Sequence, residues 1–259
     1  MIGMPQQPLP PVLGAAEEAL IVIGLGRRLA PPAALATLGA SHAVLPQDAG
    51  PMHGRRVAAA YRRGPHIIVL EDPQADFVLL REQDGAALYA ADGARPEDPE
   101  CLDAEPFGEP LARFEGAQML RLNLIDAAAL VGIAEATLDQ SVACLETAHT
   151  TSCTRTRYRA LEQRCASMAL TARCARDQMS FAAVAIDEAR TDAPSQVATA
   201  LFLAGSAALE NATRNLEVHA AIGRHRADAH LFLRRAQLLI AMAGGTEAIS
   251  NRSHKRCSR

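Results

Sequence analysis

Tryptophan is absent from the 259 residues, and tyrosine and phenylalanine occur only three and six times. Such scarcity argues against the aromatic stacking platforms used by single-strand nucleic-acid binders. No sign of charge dominates either: 26 Lys and Arg face 29 Asp and Glu, a net charge of -3. A chain-wide basic footprint for nucleic acid is therefore missing. The six cysteines, Cys101, Cys144, Cys153, Cys165, Cys174 and Cys257, form no CxxC pair and show no ligand spacing. Free thiols in a reducing, cytoplasmic setting are expected. The Pro- and Gln-rich start has no basic n-region and does not read as a secretory signal. The apolar run over residues 19–25 is too short to span a bilayer, so no membrane role is expected. There is no P-loop, and Gly24-x-Gly26 lacks the third glycine of a dinucleotide fingerprint. His225 and Asp228 have helical spacing, but nothing converges with them, so no metal is expected.

What is present is apolar substance: 49% of residues are hydrophobic, enough to bury one large or two modest cores. Residues 1–50 read as a short N-terminal helical segment. Glu17 and Glu18 fall in the first turn of a helix starting near Gly14, Arg27 and Arg28 near its end, and Pro31-Pro32 stops it. A second helix over 33–38 closes at Gly39. Residues 51–118 change period. Runs at 66–70, 76–81 and 86–89, with Asp84-Gly85 and Asp92-Gly93 turns, predict a small, weakly buried antiparallel unit needing cover. Pro96, Pro99, Pro106 and Pro110 rule out a central strand after it.

Residues 119–250 carry apolar side chains at three- and four-residue intervals. The spacing predicts helices over 126–149, 157–190, 196–219 and 227–242, with Ser195 as an N-cap and Gly244-Gly245 as the stop. Short joints make this an antiparallel four-helix bundle, so the fold class is mainly α. A basic tail, residues 251–259, holds Arg252, Lys255, Arg256 and Arg259. Alanine fills many inward positions, and small side chains bury little area at about 25 cal/mol per Å². A partner subunit completing the core is expected; a self-contained Ala-rich bundle is the alternative.

Several stretches carry a resemblance. Glu217-Val218-His219-Ala220-Ala221-Ile222-Gly223, followed by Asp228-Ala229-His230-Leu231, resembles the Gln-x-His-Gly-Gly-x-Gly turn and Asp-Ala-His-Leu helix that close the acyl-CoA dehydrogenases. Residues 130–139 resemble the opening helix of that domain, 111–117 the exit of its middle β domain, and 25–31 an N-terminal Gly-Arg-x-Leu-Ala-Pro pattern. The resemblance implies FAD as cofactor, an acyl-CoA thioester as substrate and a reduced N-terminal half. Members with this closing sequence often act on bulky thioesters, including steroid side chains, and some are heteromers.

The departures from the pattern bear on function. The match of Arg164-Cys165-Ala166-Ser167-Met168 to Arg-Leu-Ala-Asp-Met puts Ala148, Thr151 and Ser152 where the family's flavin-diphosphate motif has Arg, Phe and Gly. Arg155 and Arg157 are the nearest cations to replace the missing one. In the closing turn, Glu217 replaces Gln, and Ala220 and Ala221 replace glycines, while His219 and Gly223 remain. The resemblance places this turn at the flavin of a neighbouring subunit, so Arg155, Arg157, Glu217, His219 and Gly223 are the candidate cofactor contacts. The family's two alternative positions for the proton-abstracting carboxylate fall on Gly244 and Leu122. Neither can act as a base. Glu247, Asp126 and Glu210 lie nearby but read better as caps or solvent charges, so no catalytic residue is assigned. The expectation is an accessory, non-catalytic subunit of a heteromeric FAD-dependent dehydrogenase, with FAD held mainly by a full-length partner. A self-sufficient dehydrogenase with a relocated base and a scaffold protein are the alternatives, and a homodimer is compatible with all three.

Overall fold

The computed structural model describes residues 13–43, 54–64, 66–70, 74–82, 85–91, 108–148, 155–223 and 228–244. Two short helices come first, α1 (Ala15–Arg27) and α2 (Pro32–Ala40). Pro32 opens α2 at the position where a missing N–H costs nothing. The N-terminus of α1 is capped from afar: the Asp187 carboxylate accepts from Ala15 N at 2.6 Å and Ala16 N at 3.0 Å.

A five-stranded sheet follows: β1 (Val57–Arg63), β2 (His66–Leu70), β3 (Phe77–Glu82), β4 (Gly85–Ala90) and β5 (Ala112–Phe114), in the order β2-β1-β3-β4-β5. This corrects the expectation of an antiparallel unit, because β1 and β3 pair in parallel. β1 and β2 form a hairpin that turns at Gly64 (φ 61), and β3 lies on the far side of β1 from β2. The sheet is also more buried than expected. Phe77 and Leu79 face the helices, whereas Val78 and Leu80 join Ala58, Ala60 and Ile67 in a second buried cluster on the opposite face. The missed strands are β1 and β5: β1 is an alanine-rich run ending in two arginines with little β-branched character, and β5 is only three residues long at the edge of the sheet.

Four helices complete the fold, α3 (Gly116–Ala148), α4 (Arg155–Asp187), α5 (Ala193–Ile222) and α6 (Ala229–Met242). The bundle is as expected, with two corrections at helix starts. α3 begins ten residues before residue 126, straight after β5, and Asp126 lies inside it. Ser195 is not the cap of α5: the helix opens at Ala193-Pro194, and Ser195 Oγ donates to Asp192 O at 2.8 Å. Proline at the second helical position had already fixed the start there.

α3 is the axis of the molecule, with α1, α4, α5 and α6 all packed on it. Residues 116–147 are long and apolar enough to cross a membrane, yet that stretch is mostly buried by these neighbours. α1 approaches α3 closely because of two glycines. A methyl group at Gly26 would lie 2.1 Å from Ala129 O, and one at Gly132 would lie 2.3 Å from Ile23 O. Arg27, at the end of α1, reaches Glu135 of α3 at 2.9 Å, and Arg176 of α4 meets the same carboxylate at 2.6 Å.

Candidate functional site

The sequence-predicted cofactor residues separate into two groups at one end of the bundle. Arg155 and Arg157 occupy the first turn of α4 and are exposed, as is Arg159, and none of the three has an ion-pair partner among the described residues. Three cations at a helix N-terminus oppose the helix dipole. An anion there would relieve both the dipole and the mutual repulsion. Arg159 was missed by motif matching, since it lies outside the matched positions. Ala148 ends α3, while Thr151 and Ser152 lie outside the described residues.

The second group lies on the last turns of α5. Glu217 does not face outward unpaired: Arg164 Nη1 of α4 donates to its Oε2 at 2.6 Å. Both side chains are about half exposed, 47% and 52%, so solvent screens the pair. The charge that the sequence set against a diphosphate is thereby neutralised locally. His219 is 96% buried, its relative exposure being 4%, and its Nδ1 lies 2.9 Å from Asn215 O. A carbonyl only accepts, so Nδ1 carries a proton and donates it to Asn215 O. Gly223 ends α5 in the left-handed conformation (φ 74), with its N–H on Ala220 O at 3.1 Å. Space around it is open, so the backbone angle alone accounts for glycine there. Ala220 is exposed and Ala221 packs beside Cys144, Cys165 and Val218.

A polar spine that the sequence did not reveal holds α5 in register. Asn211 Nδ2 donates to Ala134 O of α3 (3.2 Å) and Met168 O of α4 (3.0 Å), while its Oδ1 accepts from Thr171 (3.1 Å). One turn on, Asn215 Oδ1 accepts from Ser141 Oγ (2.9 Å) and its Nδ2 donates to Gln140 (2.9 Å). Asn211, Asn215 and Ser141 are fully buried. The i, i+4, i+8 run of Asn211, Asn215 and His219 was a visible signal of polar residues on an inward face.

The positions where a base would be needed are occupied by other work. Leu122 is core, and a methyl group added at Gly39 would sit 2.5 Å from its Cδ1. Gly244 has a positive φ of 97°, while Gly245, Thr246 and Glu247 lie outside the described residues. Glu210 pairs with Arg214 one turn along α5 at 2.5 Å. Asp126 is buried against the sheet and bound by Arg81 of β3, whose Nη2 also donates to Asn123 Oδ1 at 3.1 Å. Burial pushes the Asp126 carboxyl above its ordinary pKa, and the Arg81 charge and hydrogen bond pull it back. Arg81 Nη1 is buried with no hydrogen-bond partner among the described residues. Of the two residues with helical spacing weighed for a metal, His225 lies outside the described residues and Asp228 precedes α6, and no cluster of three metal ligands occurs among the described residues.

The sequence matches no protein-family model and no curated protein. Solved structures match well. A variant of the steroid ACAD (acyl-CoA dehydrogenase) Tcur3481-Tcur3483 superposes with a TM-score of 0.70 at 17% identity, over 95% of this chain and 81% of that one. The fold is that of the acyl-CoA dehydrogenases. The ChsE4-ChsE5 complex from Mycobacterium tuberculosis gives 0.64 at 18% identity, over 95% and 81% of the two chains. PigA, solved with FAD and proline, gives 0.74 at 14% identity, over 95% and 83%. The acyl-CoA dehydrogenase fold thus spans nearly the whole chain, including the N-terminal helices and the sheet, where the sequence resemblance was faint.

Proposed function

We propose that this chain is an accessory, non-catalytic subunit of a heteromeric FAD-dependent acyl-CoA dehydrogenase, paired with a full-length subunit that carries the base. The observation behind this reading is the state of the carboxylates. Dehydrogenation of a thioester needs a carboxylate free to take the α proton. The family's alternative base positions hold Leu122 and Gly244, Glu210 is committed to Arg214, and Asp126 is enclosed in an ion pair with Arg81. The heteromeric arrangement is supported by fold likeness to a structure described as the ChsE4-ChsE5 complex. A bulky, steroid-type CoA thioester is supported by likeness to a steroid ACAD.

FAD fits the residues present in part. Arg155 and Arg157, with no ion-pair partner among the described residues, are cations suited to a diphosphate, and Glu217 is neutralised by Arg164. Ala220 and Ala221 carry methyl groups where glycines would permit close backbone approach, which is why the partner is assigned most of the hold. When bound, the flavin accepts the hydride leaving the thioester β carbon. This chain's part is to neutralise phosphate charge from α4 and to present the α5 end, with the His219 ring oriented by its Nδ1 hydrogen bond to Asn215 O. Free thiols at Cys144, Cys165 and Cys174 support a cytoplasmic setting.

Co-expression with a full-length acyl-CoA dehydrogenase from the same genome tests the reading. A flavin-containing complex whose turnover survives Glu210→Gln and Asp126→Asn here, but not removal of the partner's base, is expected. Turnover abolished by either substitution in this chain, with the complex still assembled, would favour a self-sufficient enzyme with a relocated base.

A further inference from the structure

Two thiols that the proposed function leaves idle lie together inside the bundle. Cys144 of α3 and Cys165 of α4 are both buried, and with Leu145, Leu161 and Val218 they form a small apolar cluster apart from the main core. Helix register sets them side by side. α3 and α4, joined through residues 149–154 and packed along each other, run antiparallel. Glu135 of α3 pairs with Arg176 of α4 at 2.6 Å. Cys144 stands nine residues beyond that glutamate and Cys165 eleven before that arginine. At about 1.5 Å of rise per residue, the two cysteines differ in level by roughly 3 Å. Burial, and then the neighbouring Cys144, hold the Cys165 thiol above its ordinary pKa of 9.0. Neither sulfur is in a disulfide. Cys165 also has a route to solvent, since it lines an open groove of about 430 Å³ between α3 and α4 together with Leu138, Val142, Ala143, Ala166 and Ala169.

We propose that Cys144 and Cys165 are a reversible oxidation site, at which hydrogen peroxide entering the groove closes a disulfide between α3 and α4. Cys165, on the groove, reacts first. Its sulfur gives up its proton and attacks one peroxide oxygen; the O–O bond breaks, leaving a sulfenic acid on Cys165 and a hydroxide that takes the proton as water. The Cys144 sulfur then attacks that of Cys165. The S–O bond breaks, and the departing hydroxide leaves with the Cys144 proton as a second water. Two sulfurs have lost two electrons in all, and one peroxide has become two waters. The groove wall suits the closure, because alanine at 143, 166 and 169 leaves the two backbones room to approach. The bond forms next to the Arg164–Glu217 pair, since Arg164 adjoins Cys165 in the chain and Glu217 adjoins Val218, a member of the cluster. A thiol held above its ordinary pKa exposes little thiolate at neutral pH, so the site answers to sustained rather than passing peroxide. It goes beyond the accessory-subunit reading and does not depend on it.

The test is peptide mapping of the folded, full-length wild type after a graded peroxide treatment, with and without subsequent dithiothreitol. Digestion by trypsin together with a Glu-specific protease places Cys144 on the peptide 136–146, Cys153 on 147–155 and Cys165 on 165–173, so the three are told apart. The expected product is 136–146 linked to 165–173, within a single chain by non-reducing electrophoresis, and released by dithiothreitol. In Cys144→Ser the link is lost, and Cys165 is instead trapped as a sulfenic acid by dimedone. Peroxide that leaves both peptides unlinked in wild type while Cys174 is oxidised would overturn the proposal. So would a link that joins Cys165 to any other cysteine or to a second chain, or a Cys165 that passes straight to the sulfinic acid with Cys144 unchanged. If Cys144→Ser fails to fold, the wild-type map and its reversal by dithiothreitol decide the question alone.

Discussion

Two carboxylate–guanidinium pairs, one buried and one exposed, show how differently the same chemistry is used in the two halves of the molecule. Arg81–Asp126 joins β3 to α3 with side chains 2% and 6% exposed, whereas Arg164–Glu217 joins α4 to α5 with both partners about half in water. The first is a structural commitment. Removing either member strands a charge in the core, and Arg81 Nη1 already has no partner among the described residues. The second is an adjustable contact whose charges remain available to an incoming anion or subunit. A carboxylate locked in the first way cannot serve as a base without first losing its clasp, while one held in the second way can be displaced cheaply.

The comparison breaks most sharply at the buried pair. Arg81→Ala is expected to lower stability by about 3 to 5 kcal/mol in urea unfolding, because Asp126 is left uncompensated. The double change Arg81→Met with Asp126→Leu should recover most of that loss. Recovery below half would show that the ion pair itself, rather than its orphaned remnant, holds β3 to α3. The polar spine comes next. Asn211→Leu should cost about 1 to 3 kcal/mol, since Thr171 and two backbone carbonyls of α3 and α4 lose their partner. A change within experimental error would mean that water replaces the amide.

Acidity sharpens the contrast by sign. The folded carboxyl of Asp126 titrates above its ordinary value of 3.8, chiefly through burial. Its contribution to stability is full below the unfolded pKa and declines as pH rises through the folded one. Asp192, held down to about 2 by the Arg190 guanidinium, does the opposite. Its contribution is present above 3.8 and lost as pH falls toward 2. Unfolding free energies measured from pH 3 to 7 should therefore fall less steeply with rising pH in Asp126→Asn than in wild type; parallel curves would contradict the assigned direction. The smallest effect belongs to the exposed pair. Arg164→Ala should change stability by less than about 1 kcal/mol, with the difference fading in high salt. A larger, salt-independent loss would mark the pair as structural.

Periodicity carried the helices well, since α4, α5 and α6 repeat their inward residues over many turns, and α5 and α6 end at Gly223 and Gly244. It failed where a second signal overrode it. The ten residues from 116 to 125 are as helical as those after them, but Asp126 looked like a capping carboxylate rather than a buried member of a pair. Its partner Arg81 is 45 residues away on a strand, and no local pattern links them. The parallel β1-β3 pairing was hidden for the same reason, because β2 intervenes in sequence between the two strands and no tight turn joins them. In the candidate site, motif matching found Arg155, Arg157 and the Glu217 to Gly223 turn. It did not anticipate that Arg164, cited only to set the register, would neutralise Glu217.

The central claim is that this chain lacks a base of its own, and the isolated protein tests it most directly. Flavin absorbance after purification and dye-coupled oxidation of a panel of short, long and steroid-type acyl-CoA thioesters would be measured together, with added FAD in excess. The account predicts a colourless chain without turnover on any thioester. Bound flavin with turnover that disappears in Asp126→Asn, in Glu210→Gln or in Glu247→Gln, each still folded, would contradict it.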